Sequence, residues 1–179
     1  HQMVVVAQHR APLFASADVV IVTGTKKRSH RSLYEQIRRG LLAATHDPVF
    51  LVEHDVLYPI GYFDFVPPDF GRLWYNRHTY YMNRRGFFPC SDPLLSNCCG
   101  PRALLRLAAE QRITVLHAGG AMRFAELGVG LHDSCTRSDW RSELPAVDIR
   151  HGRNSTGPRD SDAVVEHIPY WGWLTTHKD

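Results

Sequence analysis

The chain has 179 residues, of which 44% are hydrophobic, and its formal net charge is +3. This length fits one α/β domain, and the apolar share excludes a mainly disordered chain. The small positive charge excludes the strongly basic composition of a dedicated nucleic-acid binder, and no apolar run approaches the roughly 20 residues of a membrane span.

The cysteines and the N-terminus bear on the cellular compartment. The four cysteines include no C-x-x-C pair, which disfavours both a disulfide framework and a structural zinc site. The first residues lack the basic region and long apolar run of a secretory signal. We therefore expect a cytoplasmic protein with a single catalytic domain over residues 1–179, of which 170–179 form a tail. The oligomeric state stays open.

The first half of the chain alternates strand and helix patterns. Met3–Ala7 and Ala17–Val22 are short apolar runs that predict strands. Ser29–Thr45 has apolar residues at helical spacing, with Ser29 as the N-cap. Val49–Val52 predicts the next buried strand. This alternation favours a layered, mostly parallel α/β sheet.

The second half is richer in loops. Residues 62–89 combine aromatic side chains with Pro, Gly and Arg, a composition typical of functional loops. The patterns predict further strands and helices, which are the strands Leu73–Tyr75, Thr79–Asn83, Leu94–Cys99 and Val147–Arg150 and the helices Pro101–Gln111 and Ala121–Leu127.

Two carboxylates follow the Val49–Val52 strand in the sequence E-H-D. Glu53 and Asp55 are two residues apart, so in an extended chain their side chains point the same way. Ligands of open α/β sheets bind at the carboxyl ends of strands. Carboxylate oxygens favour Mg²⁺ or Mn²⁺, and such an ion neutralises a diphosphate. The alternative is a solvated strand end that carries ordinary charges.

A second polar segment, D-I-R-H-G-R-N, begins at Asp148 and follows a strand pattern. The imidazole of His151 can ligate Mn²⁺, and Arg150 can face a phosphate. A histidine before a glycine is also common at protein surfaces. The interpretation of His151 as a metal ligand therefore depends on the acidic residues Glu53 and Asp55.

These features together resemble the glycosyltransferases of the GT-A type, in particular family-2-like members of the small phage and bacterial kind. V-F-L-V-E-H-D-V-L-Y-P resembles their acid-x-acid strand end, and S-H-R-S-L-Y-E-Q, from Ser29, is similar to the helix before it. The His151 segment resembles their late metal-binding histidine. The resemblance covers roughly residues 17–157 and implies a three-layer α/β/α fold with a mixed, mostly parallel sheet.

The resemblance implies a metal-dependent transfer of sugar from a nucleotide-diphosphate-sugar, most simply a UDP-sugar, to an acceptor hydroxyl. Asp55 and His151 would ligate Mn²⁺ or Mg²⁺, and Glu53 would contact the metal through water or bind the donor ribose. Further donor contacts would come from basic and amide side chains, namely Lys26, Lys27, Arg28, Gln36 and Arg150.

An inverting enzyme needs a carboxylate base that deprotonates the acceptor. The candidates are Asp92, Glu126 and Asp133, each of which can also be a solvated charge or a helix cap. A retaining enzyme needs no such base, and the sequence leaves the stereochemistry open.

An aromatic and basic stretch, W-Y-N-R-H-T-Y-Y-M-N-R-R, runs from Trp74 to Arg85. Aromatic rings stack on sugars and on unstacked bases, and arginines hold phosphates. The predicted acceptor-binding residues are Trp74, Tyr75, Arg77, Tyr80 and Arg84. The acceptor would be a saccharide or a 5-hydroxymethylated pyrimidine of DNA, as in phage DNA modification; the alternative is that the aromatic residues belong to the core.

Two other function classes fit parts of the sequence. A nucleotidyltransferase also uses carboxylates and Mg²⁺, although its Gly-rich loop with a catalytic lysine is not evident. A non-catalytic nucleic-acid-binding domain fits the aromatic and arginine-rich stretch but not the E-H-D segment, and it predicts salt-sensitive DNA binding without a metal.

Overall fold

The computed structural model describes residues 1–25, 27–90, 92–130, 132–150 and 164–173. The chain divides into two compact units, and neither is a continuous segment. The first unit is His1–Leu51, Pro67–Trp74 and Cys99–Ser138, and the second is Val52–Val66, Tyr75–Cys98 and Asp139–Asp179.

Strands and helices both occur, as the sequence predicts for an α/β protein. The strands are β1 (Val4–Ala7), β2 (Val19–Val22), β3 (Val49–Phe50), β4 (Val56–Leu57), β5 (Leu73–Asn76), β6 (Thr79–Asn83), β7 (Gly86–Cys90), β8 (Cys98–Gly100), β9 (Arg137–Trp140), β10 (Ala146–Ile149), β11 (His167–Ile168) and β12 (Gly172–Trp173). The α-helices are α1 (His30–Ala43) and α2 (Arg102–His117), and short 3-10 helices cover Pro12–Phe14, Tyr62–Asp64 and Leu95–Asn97.

In the first unit, β1 and β2 pair in parallel and α1 packs against both β1 and α2. Helix α1 begins where predicted, because the Ser29 side chain accepts the N–H of Ser32 at 3.1 Å and the Ser32 hydroxyl accepts the N–H of Ser29. Tyr34 and Leu41, seven residues apart, lie on one face of the helix and are buried. The predicted strands β1 and β2 and helix α1 are thus confirmed.

Helix α2 is longer than predicted, and the predicted helix Ala121–Leu127 is wrong. The backbone carbonyls of this second stretch bind a side chain instead. The buried guanidinium of Arg112, on α2, donates to the carbonyls of Phe124, Glu126 and Val129. Carbonyls bound in this way need no helical hydrogen-bond ladder. This stretch is therefore an irregular segment wrapped around one side chain.

In the second unit, one sheet has the order β4-β10-β6-β7. Strand β10 is parallel to β6 and antiparallel to β4, and β6 and β7 form an antiparallel hairpin. Phe87, Val147 and Ile168 form its buried core. Parallel and antiparallel pairs both occur among the described strands, so the sheets are mixed, as predicted, while the three-layer arrangement stays a prediction. The antiparallel pairs form between hairpin neighbours or between strands distant in sequence.

The other four-stranded sheet has the order β3-β8-β5-β9, and β3 pairs antiparallel with β8. Strand β3 is shorter than the predicted Val49–Val52, and Val52 is 54% exposed. The predicted strand Leu94–Cys99 is a 3-10 turn followed by β8. The turn forms because the N–H of Asn97 donates to the Leu94 carbonyl at 2.9 Å.

The first residues of the predicted tail, 170–179, take part in the fold. Gly172–Trp173 pairs with β11, and the Trp171 indole N–H donates to the Pro145 carbonyl at 2.7 Å. An aromatic side chain that packs on the core and has a hydrogen-bond partner belongs to the fold. Residues 174–179 lie outside the described part of the chain.

Candidate functional site

The predicted acidic residues lie in a tight turn, Glu53–Val56, which we call the acid turn and which leads into β4. The N–H of Val56 donates to the Glu53 carbonyl at 3.4 Å and closes the turn. The N–H of Ile149 donates to the Asp55 carbonyl at 2.8 Å, which attaches the turn to the end of β10. The backbone of the acid turn is therefore anchored by strand pairing.

Strand β10 brings a third carboxylate, Asp148, to the acid turn. Asp148 pairs with Val56 across the β4–β10 ladder and is 5% exposed. Its Oδ2 atom accepts from Arg150 Nη2 at 2.7 Å, and the Arg150 guanidinium lies 4.1 Å from the ring centre of Tyr81 on β6. Residues two apart in a strand lie on the same face, so the sequence pattern D-I-R is sufficient to predict that Asp148 and Arg150 are neighbours. Arg150 is among the predicted donor-binding residues, whereas no role is predicted for Asp148.

The electrostatics link these groups into one cluster. Glu53 is exposed at the surface, yet the pKa of its carboxyl is raised above its ordinary value, first because nearby protein atoms displace part of its water, and then because Asp55 and Asp148 repel its charge. Arg150 acts in the opposite direction and lowers it. Three carboxylates and one guanidinium thus interact, and negative charge is in excess.

Replacing Glu53 with glutamine is expected to stabilise the protein more at pH 8 than at pH 4, because a raised pKa means that the folded state holds this proton more tightly. Stability linked to Glu53 therefore falls as pH rises from its ordinary value through the raised one. Thermal unfolding of both proteins at the two pH values, in EDTA, gives the measurement. Glu143→Gln, at an exposed position of the same unit, is the charge-matched control. An equal difference at both pH values would contradict the prediction.

Asp92, a predicted catalytic base, is exposed just after β7. The Cys90 thiol donates to the Asp92 carbonyl at 3.6 Å. Burial raises the pKa of Cys90, and the charges of Asp92 and Arg150 both act on this thiol, as does a hydrogen bond with Tyr81. Asp92 and Arg150 thus both lie near the Cys90 thiol, and Asp92 is accessible to solvent.

The predicted metal ligands are placed only in part. Glu53 and Asp55 lie together in the acid turn, and Asp148 joins them, whereas His151 lies outside the described residues. Within the part of the chain that the structure describes, no group of three or more His, Cys, Asp or Glu side chains has the arrangement of a metal site. The available ligand atoms are carboxylate oxygens with excess negative charge, which is the type of ligand that a hard divalent cation prefers.

The predicted donor-binding residues upstream of the acid turn belong to the first unit. Lys27 and Arg28 are exposed between β2 and α1. Gln36 is half-buried on α1 and lines a small surface hollow with Thr23 and Arg39. Lys26 lies outside the described residues. The donor-binding role of these residues stays a prediction.

Asp133, the second candidate base, is enclosed. Its side chain is fully buried, and Oδ2 accepts from Arg112 Nε at 2.6 Å. The N–H groups of Gly128 and Cys135 also donate to its carboxylate. A carboxylate surrounded by protein donors offers no approach to an acceptor hydroxyl, so the arrangement favours a structural role. The third candidate, Glu126, is half-buried in the same irregular segment.

The aromatic and basic stretch is largely structural. Tyr75 is fully buried, so its predicted acceptor contact is wrong. Tyr80 packs half-buried against the core of the second unit, and the indole N–H of Trp74 donates to the Asp69 carbonyl at 2.8 Å. Arg77 Nε lies 3.6 Å from an oxygen of Asp139. All residues of β5 and β6 are buried or half-buried, whereas Arg84 is exposed at the turn between β6 and β7.

Comparison of the chain with protein-family models, with curated proteins and with solved structures finds no match. Among the described residues, no helix is both long and apolar enough to cross a membrane.

Proposed function

We propose that the chain is a metal-dependent glycosyltransferase with a GT-A-like fold, which moves a sugar from a nucleotide-diphosphate-sugar to an acceptor hydroxyl. The observation that carries the proposal is that Asp55 and Asp148, from two distant segments, both act on the carboxyl of Glu53, while Arg150 pairs with Asp148. A carboxyl whose pKa is raised by desolvation and by neighbouring carboxylates, as that of Glu53 is, is a common feature of functional sites.

In this proposal Glu53, Asp55 and His151 hold Mn²⁺ or Mg²⁺. A divalent cation there supplies neutralisation of the negative charge that develops on the leaving diphosphate. Arg150 is held by Asp148 and by the ring of Tyr81, so its charge is in a fixed position before any substrate arrives. A preorganised cation needs no reorganisation during the reaction, which favours its assignment to the donor diphosphate.

The chemistry is a displacement at the anomeric carbon. The acceptor oxygen forms a bond to that carbon while the bond to the diphosphate oxygen breaks, and the nucleoside diphosphate leaves with the electron pair. In an inverting reaction the hydroxyl proton passes to a carboxylate. Asp92 is the strongest candidate because its side chain is exposed beside Cys90, whereas Asp133 is enclosed.

The test is donor hydrolysis by the purified chain. Nucleotide-sugars, including UDP-sugars, are incubated with Mn²⁺ or Mg²⁺, with and without EDTA, and released nucleoside diphosphate is measured. We expect release from one donor that EDTA abolishes. Saccharides and 5-hydroxymethylated DNA are then compared as acceptors, since both present the required hydroxyl.

The opposite results separate the alternatives. Turnover of a nucleoside triphosphate in place of a nucleotide-sugar would favour a nucleotidyltransferase. Salt-sensitive DNA binding without any donor binding or metal dependence would favour a nucleic-acid-binding domain. The burial of Tyr75 and the half-buried Tyr80 argue against that last function, because a stacking surface needs exposed rings.

A further inference from the structure

One tyrosine hydroxyl in the second unit contacts the acid turn directly. The Tyr58 hydroxyl accepts the backbone N–H of Glu53 at 3.3 Å and donates to the Ser96 carbonyl at 2.8 Å. A phenolic group has one proton to donate and lone pairs that accept, so both contacts are satisfied at once. Burial raises the pKa of Tyr58 well above its ordinary value, which keeps this hydroxyl protonated.

The ring of Tyr58 is held in place by other aromatic residues. Its centroid lies 4.8 Å from that of Tyr62 and 5.3 Å from that of Phe63. Pairs at these distances and tilted orientations are favourable and fix the direction of the hydroxyl. Tyr58 is therefore a rigid group that meets the first residue of the acid turn.

The other end of this contact is also fixed. Ser96 belongs to the buried 3-10 turn before β8, and its neighbour Asn97 donates from Nδ2 to the Thr79 hydroxyl on β6 at 2.8 Å. The hydroxyl of Tyr62 donates to Asn97 Oδ1 at 3.2 Å. Tyr58 therefore connects the acid turn to the Leu95–Asn97 turn, and Asn97 connects that turn to β6.

We propose that Tyr58 is a positioning residue whose hydroxyl holds the backbone of the acid turn so that the carboxylates of Glu53 and Asp55 converge on the cation. This inference rests on the proposed function. Groups that orient metal ligands through hydrogen bonds typically change metal affinity 10–100-fold when they are removed. Tyr58 contacts backbone rather than a carboxylate, so its effect acts through the position of the turn.

The experiment compares Tyr58→Phe with Tyr62→Phe. Each variant keeps its ring and loses one hydroxyl; the Tyr58 hydroxyl contacts the acid turn, whereas the Tyr62 hydroxyl donates to Asn97. Hydrogen exchange of the Glu53 amide is measured in EDTA, and Mn²⁺ affinity is measured by calorimetry. For Tyr58→Phe we expect faster exchange at Glu53 and a Mn²⁺ dissociation constant raised about tenfold. For Tyr62→Phe we expect both values to match the unchanged protein.

The outcomes separate this inference from the proposed function. Unchanged Mn²⁺ affinity in Tyr58→Phe, in a protein that binds Mn²⁺, overturns the inference alone. An equal loss of Mn²⁺ affinity in both variants also overturns the inference, because it indicates that the aromatic cluster as a whole is less tightly packed. Absence of Mn²⁺ binding by the unchanged protein overturns the proposed function, and the inference with it. Circular dichroism of both variants checks that each is folded.

Discussion

Replacing Arg112 with methionine is expected to lower the free energy of unfolding by about 3–5 kcal/mol, as is typical when one member of a buried ion pair is removed. Arg112 is fully buried and pairs with the buried carboxylate of Asp133 at 2.6 Å. Its guanidinium also donates to the Tyr34 hydroxyl and to backbone carbonyls. Methionine would leave a buried charge and several acceptors without donors. Urea unfolding monitored by circular dichroism gives the measurement.

Arg106→Met is the matched control, since Arg106 lies on the same helix but is exposed. Its Nε atom is 3.7 Å from Glu110, a surface pair for which about 0–1 kcal/mol is expected. Arg112→Lys is expected to retain little of the stability that Arg112 provides, because an ammonium group cannot reproduce the several N–H donors that reach three carbonyls. A similar decrease in the free energy of unfolding for Arg106→Met and Arg112→Met would show that the buried network stabilises the fold no more than a surface ion pair does.

The same network separates two roles of Asp133. If the carboxylate is structural, Asp133→Asn lowers stability by a comparable amount, because Arg112 then becomes the uncompensated charge. If Asp133 were the catalytic base, activity would fall in a fully stable protein. The enclosure of its oxygens by Arg112, Gly128 and Cys135 favours the first result.

Local patterns predicted several elements correctly, because their cause is local. Helix α1 has apolar residues at helical spacing and a serine that caps its first turn, so neither feature depends on distant contacts. Strand β6 and the strand before His151, β10, were also predicted from apolar runs. The strand pairing was harder to predict, because β10 lies between β4 and β6, which precede it by more than 60 residues of chain.

The failures have long-range causes. Ala121–Leu127 has helical periodicity, but a single buried arginine from another helix binds its carbonyls instead. Strand β7 contains Pro89, which reads as a loop signal. Proline is tolerated there because β7 is the last strand in the order of its sheet. Propensity alone could not indicate either outcome.

The candidate site was partly predictable for a similar reason. Glu53 and Asp55 are two residues apart in sequence, so one motif reveals both. Asp148 joins them only through the register of β10 on β4, which pairs it with Val56. Tyr58 stood within the motif, but its bond to Ser96 joins residues 38 apart and has no sequence signature. Tyr75 was mistaken for a contact residue because an aromatic side chain can serve a core or a ligand equally well.

Replacing Asp55 with asparagine is expected to lower donor turnover about 10³-fold without unfolding the protein. The change keeps the size of the side chain and the Asp55 carbonyl that accepts from Ile149, so the acid turn stays attached to β10. It removes one of the negative charges that would hold the cation of the proposed reaction. Cation stabilisation of a leaving group is worth several kcal/mol, and each 1.4 kcal/mol is a factor of ten in rate. Metal-dependent release of nucleoside diphosphate is the readout.

Asp64→Asn gives the matched control, because Asp64 is an exposed aspartate nine residues further along the same unit. Its turnover should equal that of the unchanged protein. Mn²⁺ titration adds a second measurement, since loss of a ligand raises the dissociation constant and should make turnover depend on higher Mn²⁺ concentrations. Full activity of Asp55→Asn would remove the acid turn from the mechanism. A loss that appears equally in Asp64→Asn would instead indicate that the unit tolerates no loss of negative charge, whatever its position.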